Sequence, residues 1–158
     1  MITVAVELLE TLRRRGLTLA TAESCTGGNV AHLITEIAGC SDVMLGAVVS
    51  YCNDVKHNVL GVPVETLAAN GAVSEPTVRA MAEGACRVIG ADCAVATSGI
   101  AGPGGAVSGK PVGTVWMAAH AGQTTIAECR CFSGDRSEVI AQASEYVLGM
   151  LLKLVNSL

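Results

Sequence analysis

Aromatic side chains are nearly missing from this sequence: Trp116, Tyr51, Tyr146 and Phe132 are the full set in 158 residues. Proteins that hold nucleic acid strands stack bases on such rings along a basic groove, and this chain combines few rings with a net charge of −4. Its one dense basic run, Arg13-Arg14-Arg15, closes a helical repeat, where cations complement the helix dipole. No nucleic acid partner is therefore expected, and any nucleotide bound here would be a small ligand. Long apolar runs are also lacking, since none reaches the ~20 residues that a membrane-spanning helix needs, and no membrane partner is expected. The first residues do not read as a signal peptide, because Glu7 and Glu10 interrupt the apolar run and the basic cluster follows it. Cys25, Cys40, Cys52, Cys86, Cys93, Cys129 and Cys131 form no CxxC pair, and no paired histidine spacing accompanies them. Neither a disulfide framework, a zinc site nor any other metal or cofactor is expected. Cys86, Cys93, Cys129 and Cys131 lie in apolar contexts where a thiol acts as a small hydrophobe, which suits a reducing, cytoplasmic setting.

What is abundant points to an α/β fold. Hydrophobic residues make up 51% of the chain, charged residues 15%, and there are 18 glycines. That composition and length fit a single domain over residues 1–158, burying about two-thirds of the surface of the unfolded chain, with a homo-oligomer expected to cover more. Val4, Leu8 and Leu12 repeat at helical spacing up to Arg15, and Gly16 ends that helix. Leu17 to Ala22 reads as a buried strand, followed by a turn and a helix carrying Val30, Leu33, Ile34 and Ile37. Val43 to Ser50 is a second strand, and Tyr51 to Leu60 starts a helix that Asn53 could cap, broken by Gly61 and Pro63. Ser74-Glu75-Pro76 opens a further helix with an apolar face from Val78 to Ile89, and Cys93 to Thr97 is a fully apolar strand. Val112 to Ala119 and Thr124 to Phe132 form a hairpin, the second strand alternating inward Ala127, Cys129 and Cys131 with outward Glu128 and Arg130. A final amphipathic helix runs from about Arg136 to Val155. The expected architecture is a mixed, mostly parallel sheet flanked by helices.

Ligands of open α/β sheets gather at the carboxyl ends of strands, and three polar segments fall there: Glu23 to Gly28, Tyr51 to Lys56, and Ser98 to Gly105. In the first, Ser24, Cys25 and Thr26 precede a helix opened by Gly27 and Gly28, so free backbone N–H groups could face an anion or oxyanion, although Ser and Thr are also plain helix caps. The second offers Tyr51, Asn53 and Lys56, the last two neighbours on one helical face. A lysine on a helix is ordinarily a solvated surface charge, and Lys56 becomes a base toward a serine hydroxyl only if burial or a nearby cation lowers its pKa. His57 could also act as a base but points about 100° away around the helix. The third segment, with Gly99 and Gly102, joins Lys110 and Arg136 in a phosphate-binding pattern of backbone amides and a cation, although flexible loops are equally glycine-rich.

Several spaced motifs carry a family resemblance. The run Thr21-Ala22-Glu23-Ser24-Cys25-Thr26-Gly27-Gly28 resembles the signature of the CinA C-terminal domain family. So do Ser50-Tyr51-x-Asn53-x-x-Lys56, Gly71-Ala72-Val73-Ser74-Glu75, Ser98 to Pro103, Lys110 to Val115, and Phe132 to Arg136, in the same order along nearly the whole chain. The resemblance implies a nicotinamide-nucleotide amidase of pyridine nucleotide salvage, a small-molecule nucleotide substrate, Ser24 as nucleophile, and Tyr51 and Lys56 assisting proton transfer. Glu23, Thr26, Gly27, Gly28, Asn53, Gly99, Gly102 and Arg136 would then bind substrate. Ala106 stands where the family often has glycine, and the chain is expected to be the stand-alone form without the larger N-terminal domain many members carry. The competing reading is a nucleotide-binding or partner-binding regulatory module without catalysis.

Overall fold

A computed structural model describes residues 2–158. Along the chain it contains α1 (Val4–Arg15), β1 (Leu19–Glu23), α2 (Asn29–Thr35), a short 3-10 turn (Cys40–Asp42), β2 (Met44–Val49) and α3 (Asn53–Asn58). These are followed by α4 (Val64–Asn70), α5 (Glu75–Ile89), β3 (Cys93–Gly99), β4 (Thr114–Ala121), β5 (Thr124–Cys131) and α6 (Arg136–Ser157). The strands form one sheet in the order β2-β1-β3-β4-β5. Pairings of β1 with β2 and β3 are parallel, and those of β4 with β3 and β5 are antiparallel. Only β4 therefore runs against the other strands, and β5 ends at the same edge of the sheet as β1, β2 and β3.

Helices cover both faces. On one face α1, α2 and α6 bury Leu8, Leu9, Leu12, Ile34, Val147 and Leu151 against Leu19, Val95 and Met117. On the other, α5 lays Val78, Met81, Ala82 and Ala85 over a floor of small residues, Ala20, Ala22, Ala94, Ala96 and Ala118. Alternation along β1 sends Leu19 to the first core and Ala20 and Ala22 to the second, as a period of two requires. The first helix is closed at both ends as its sequence suggests: Thr3 Oγ1 accepts from Val6 N–H at 3.3 Å, and Gly16 turns left-handed with φ 67° behind Arg13, Arg14 and Arg15.

Some expectations change. Asn53 does not cap α3; it is the first helical residue, the cap position is Cys52, and no side chain caps the end. Ser74 stands at the cap of α5 without bonding its N–H groups, because its hydroxyl donates to Gly71 O at 2.9 Å instead. The helix α4 is additional to the elements expected from the sequence: α3 ends before Gly61 and Pro63 as expected, and Pro63 then stands at the cap position of α4. Cys129 and Cys131 are exposed rather than inward, because the α5 core, which covers their face of β5 at Ala127, does not extend to the end of the strand.

Gly84 fixes how closely α5 approaches the segment after α3. A Cβ there would lie 2.0 Å from Leu60 O, which only glycine permits. Leu60 and Val62 are fully buried under α5, and Val62 N–H donates back to Lys56 O at 3.1 Å, so this contact also sets the seat of Lys56. Gly84→Ala should reduce the unfolding free energy by about 1–3 kcal/mol through overpacking. Chemical denaturation of the two proteins measures it, and an unchanged midpoint would show that the approach is not tight.

Candidate active site

The carboxyl ends of β2, β1 and β3 are laced into one rim by main-chain bonds that continue past the strands. Ser24 N–H donates to Thr97 O at 3.0 Å, and Ser50 N–H donates to Glu23 O at 2.7 Å. Above this rim lies a cleft of about 280 Å³ lined by Ser24, Cys25, Tyr51, Asn53, Lys56, Ala72, Val73, the Ser98 to Gly102 stretch, Gly104, Gly105 and Arg136. The three polar segments thus share one cleft, and Arg136 joins them because β5 delivers the start of α6 to the same edge.

Lys56 is 1% exposed, so it is not a solvated helix charge. Its Nζ donates to Ser50 O at 2.7 Å and sits 2.9 Å from Ser24 Oγ. Both partners are neutral, and burial pushes the amine's pKa below its ordinary 10.5, with the Cys52 and Cys25 thiols opposing more weakly. Arg136 is not among the causes of that shift, so desolvation and not a neighbouring cation sets its direction. The adjacent Cys25 is also buried, which pushes its thiol up to about 11 and keeps it protonated at neutral pH.

Tyr51 is 59% exposed at the mouth of the cleft. Its hydroxyl accepts from Arg136 Nη2 at 2.8 Å, while Arg136 Nη1 donates to Gly102 O at 2.7 Å. The guanidinium therefore ties the phenol to the glycine loop and retains further N–H groups for a ligand. No carboxylate and no histidine lines the cleft, and the Arg136 guanidinium stands at its mouth, so the site suits an anionic ligand. Among the described residues there is no group of three or more His, Cys, Asp or Glu placed to hold a metal ion.

Glu23, Thr26, Gly27 and Gly28 lie behind this surface rather than on it. Gly27 N–H donates to Ser24 O at 3.0 Å, and Gly28 N–H donates to Glu23 Oε1 at 3.1 Å. Those two groups, expected to face an oxyanion, are already engaged. The N–H groups of Cys25 and Thr26 donate to no main-chain carbonyl among the described residues and stand next to the Ser24 side chain in sequence. His57 is turned away, its Nδ1 2.8 Å from Val62 O, and Lys110 lies outside the cleft with Nζ 3.5 Å from Asn70 O.

The model of the CinA C-terminal domain matches residues 1–155. The chain belongs to the CinA C-terminal domain family. Among relatives of this CinA domain, the nicotinamide-nucleotide amidohydrolase PncC of Escherichia coli (strain K12) is 52% identical over 143 residues, covering 90% of this chain and 87% of that protein. A CinA-like protein of Anaeromyxobacter dehalogenans (strain 2CP-C) is 51% identical over 140 residues, covering 89% of this chain and 34% of that protein. A solved structure of a competence-damaged protein (CinA) superfamily protein from Klebsiella pneumoniae 700603 superposes with a TM-score of 0.94 at 38% identity, over 98% of this chain and 97% of that one.

Site residues of this CinA domain that sequence reasoning missed include Ala72 and Val73, which border the cleft although their motif carried no chemistry to single them out. Ser98, at the start of the glycine loop, is 1% exposed and lines the cleft beside Gly99.

The lowered pKa of Lys56 has a signed effect on stability. Between the lowered folded value and 10.5 the unfolded chain binds more protons than the folded one, so stability gains from Lys56 as pH rises through that window. Thermal melts over a pH series should show wild type gaining on Lys56→Met as pH is raised toward 10.5. Parallel curves would mean that the amine titrates normally.

Proposed function

We propose that the protein hydrolyses the carboxamide of nicotinamide mononucleotide to nicotinate mononucleotide and ammonia, a step of pyridine nucleotide salvage. The observation that carries this reading is the buried Lys56 amine 2.9 Å from Ser24 Oγ on the wall of a cleft that also holds Arg136. The nicotinamide-nucleotide amidohydrolase activity for which the PncC relative is named agrees with it.

In the proposed mechanism neutral Lys56 accepts the Ser24 hydroxyl proton as Oγ attacks the carboxamide carbon. The Nζ to Ser50 O bond is kept throughout, since a neutral amine still has N–H groups to donate. Charge on the former carbonyl oxygen is met by the N–H groups of Cys25 and Thr26, the residues that follow the nucleophile. Collapse breaks the C–N bond, and the Lys56 ammonium returns its proton so that ammonia leaves. Water then attacks the resulting ester, Lys56 removes its proton, and Ser24 departs as the restored hydroxyl. Tyr51 acts at the mouth through Arg136, 2.8 Å from its hydroxyl, rather than between Lys56 and Ser24. The phosphate is taken by Arg136 with the Gly99 to Gly105 loop, and Asn53 contributes a polar contact on the cleft wall.

Ammonia release from nicotinamide mononucleotide by the purified protein is the direct test, and ligand binding without ammonia would favour a regulatory module. Ser24→Ala should lower kcat by at least about a thousandfold while Cys25→Ala retains most of it. The reverse order of losses would assign the chemistry to the thiol. Lys56→Arg keeps a positive charge but cannot accept a proton, and its kcat should fall as far as that of Ser24→Ala. Near-normal turnover in that variant would end the base assignment. The unphosphorylated riboside should lose roughly ten- to hundredfold in kcat/KM, the worth of a charge-assisted Arg to phosphate contact. Equal efficiency on both substrates would remove the phosphate site.

A further inference from the structure

We infer that Glu23 is a positioning residue whose buried carboxylate sets where the Ser24 hydroxyl sits, and that it is not a substrate contact. The kinetic part of this inference rests on the amidase reading above. Glu23 is 0% exposed and does not line the cleft. Its Oε1 accepts from Thr26 Oγ1 at 2.7 Å, Val30 N–H at 2.9 Å and Gly28 N–H at 3.1 Å. Its Oε2 accepts from Ala31 N–H at 2.9 Å and Thr21 Oγ1 at 3.0 Å. Every one of these partners donates and none carries a charge, so the pattern is that of an acceptor only.

The reason for an acid at this position lies in the start of α2. Its cap residue, Gly28, has φ 102° and no side chain to satisfy the first N–H groups, which would otherwise be buried without partners. Glu23 supplies that cap from five positions upstream, and the positive end of the helix favours an anion there. Reaching back across the Ser24 to Gly27 turn, the carboxylate draws the turn closed. Thr26 extends the clamp to β3: its single proton goes to Glu23, so at 2.7 Å it accepts from Thr97 Oγ1. Ser24 is therefore held between Glu23 of β1, the α2 terminus and β3, with Lys56 approaching from the remaining side.

Glu23→Gln tests this, because the amide NH2 would face donors where an acceptor is required. Assayed well below its melting temperature, the variant should lose on the order of a hundredfold in kcat through displacement of the nucleophile. KM should stay within about threefold, and the pH at which the rate rises should not move, since Lys56 is untouched. An unchanged kcat with only a lower melting temperature would overturn the proposal, as would a raised KM at unchanged kcat, which is the mark of a ligand contact. Should Glu23→Gln fail to fold, Thr26→Val removes one arm of the clamp and should cost about tenfold in kcat, with Thr26→Ser recovering it. Full activity in Thr26→Val would then overturn the inference. If the wild type itself releases no ammonia, the amidase reading fails separately, and amide exchange at Val30 and Ala31 decides the clamp. Faster exchange at both in the folded variant supports it, and unchanged exchange overturns it.

Discussion

A lysine amine enclosed by protein with no counter-charge is the constraint on which the rest of this structure depends. Burial of an ammonium is strongly unfavourable, and the protein relieves it by shifting the amine toward its neutral form instead of supplying a carboxylate. The surroundings are arranged to keep it so. Ser50 offers a backbone carbonyl at the end of the edge strand β2, Ser24 a hydroxyl at the end of β1, and α3 turns Lys56 inward toward both. Gly84 lets α5 press on the segment behind α3, which shields that helix from the far side.

Glu23 solves the opposite problem a residue away from the nucleophile. Two ionisable side chains enter the interior at the same edge of the sheet, and each is satisfied on its own: Lys56 by two neutral oxygens, Glu23 by five neutral donors. Had they paired, the ion pair would hold Lys56 charged and useless as a proton acceptor. Keeping them on different hydrogen-bond partners is what leaves a base beside the serine and a rigid turn beneath it.

Much of this was legible in the residues. The βα units, the helix opened by Ser74-Glu75-Pro76 and the convergence of three polar segments followed from periodicity, turn chemistry and strand polarity. Seven of the residues singled out, Ser24, Tyr51, Asn53, Lys56, Gly99, Gly102 and Arg136, line one cleft. Other features depended on tertiary contacts that a local pattern does not carry. Alternation along β5 suggested an inward Cys129 and Cys131, but whether a strand face is buried depends on which helices reach it, and at this edge they do not. Glu23 stood in a motif beside Ser24 and so looked like part of the ligand surface. Its direction is set by the pleat of β1, which alternates Leu19, Thr21 and Glu23 to the α2 side. The burial of Lys56 was equally out of reach, since a helix of six residues is too short for its apolar periodicity to mark an inward face.

The reversal at β4 has a consequence for how the molecule comes into being. By running one strand backward, the chain brings the beginning of its last helix to the rim built from its first strand, so Tyr51 and Arg136 meet across a sequence separation of 85 residues. No early segment can assemble the cleft by itself. Such long-range closure raises contact order and delays the competent state until almost the whole polypeptide is in place. Recovery of ligand binding during refolding would therefore mark the last docking event, later than the appearance of helical signal.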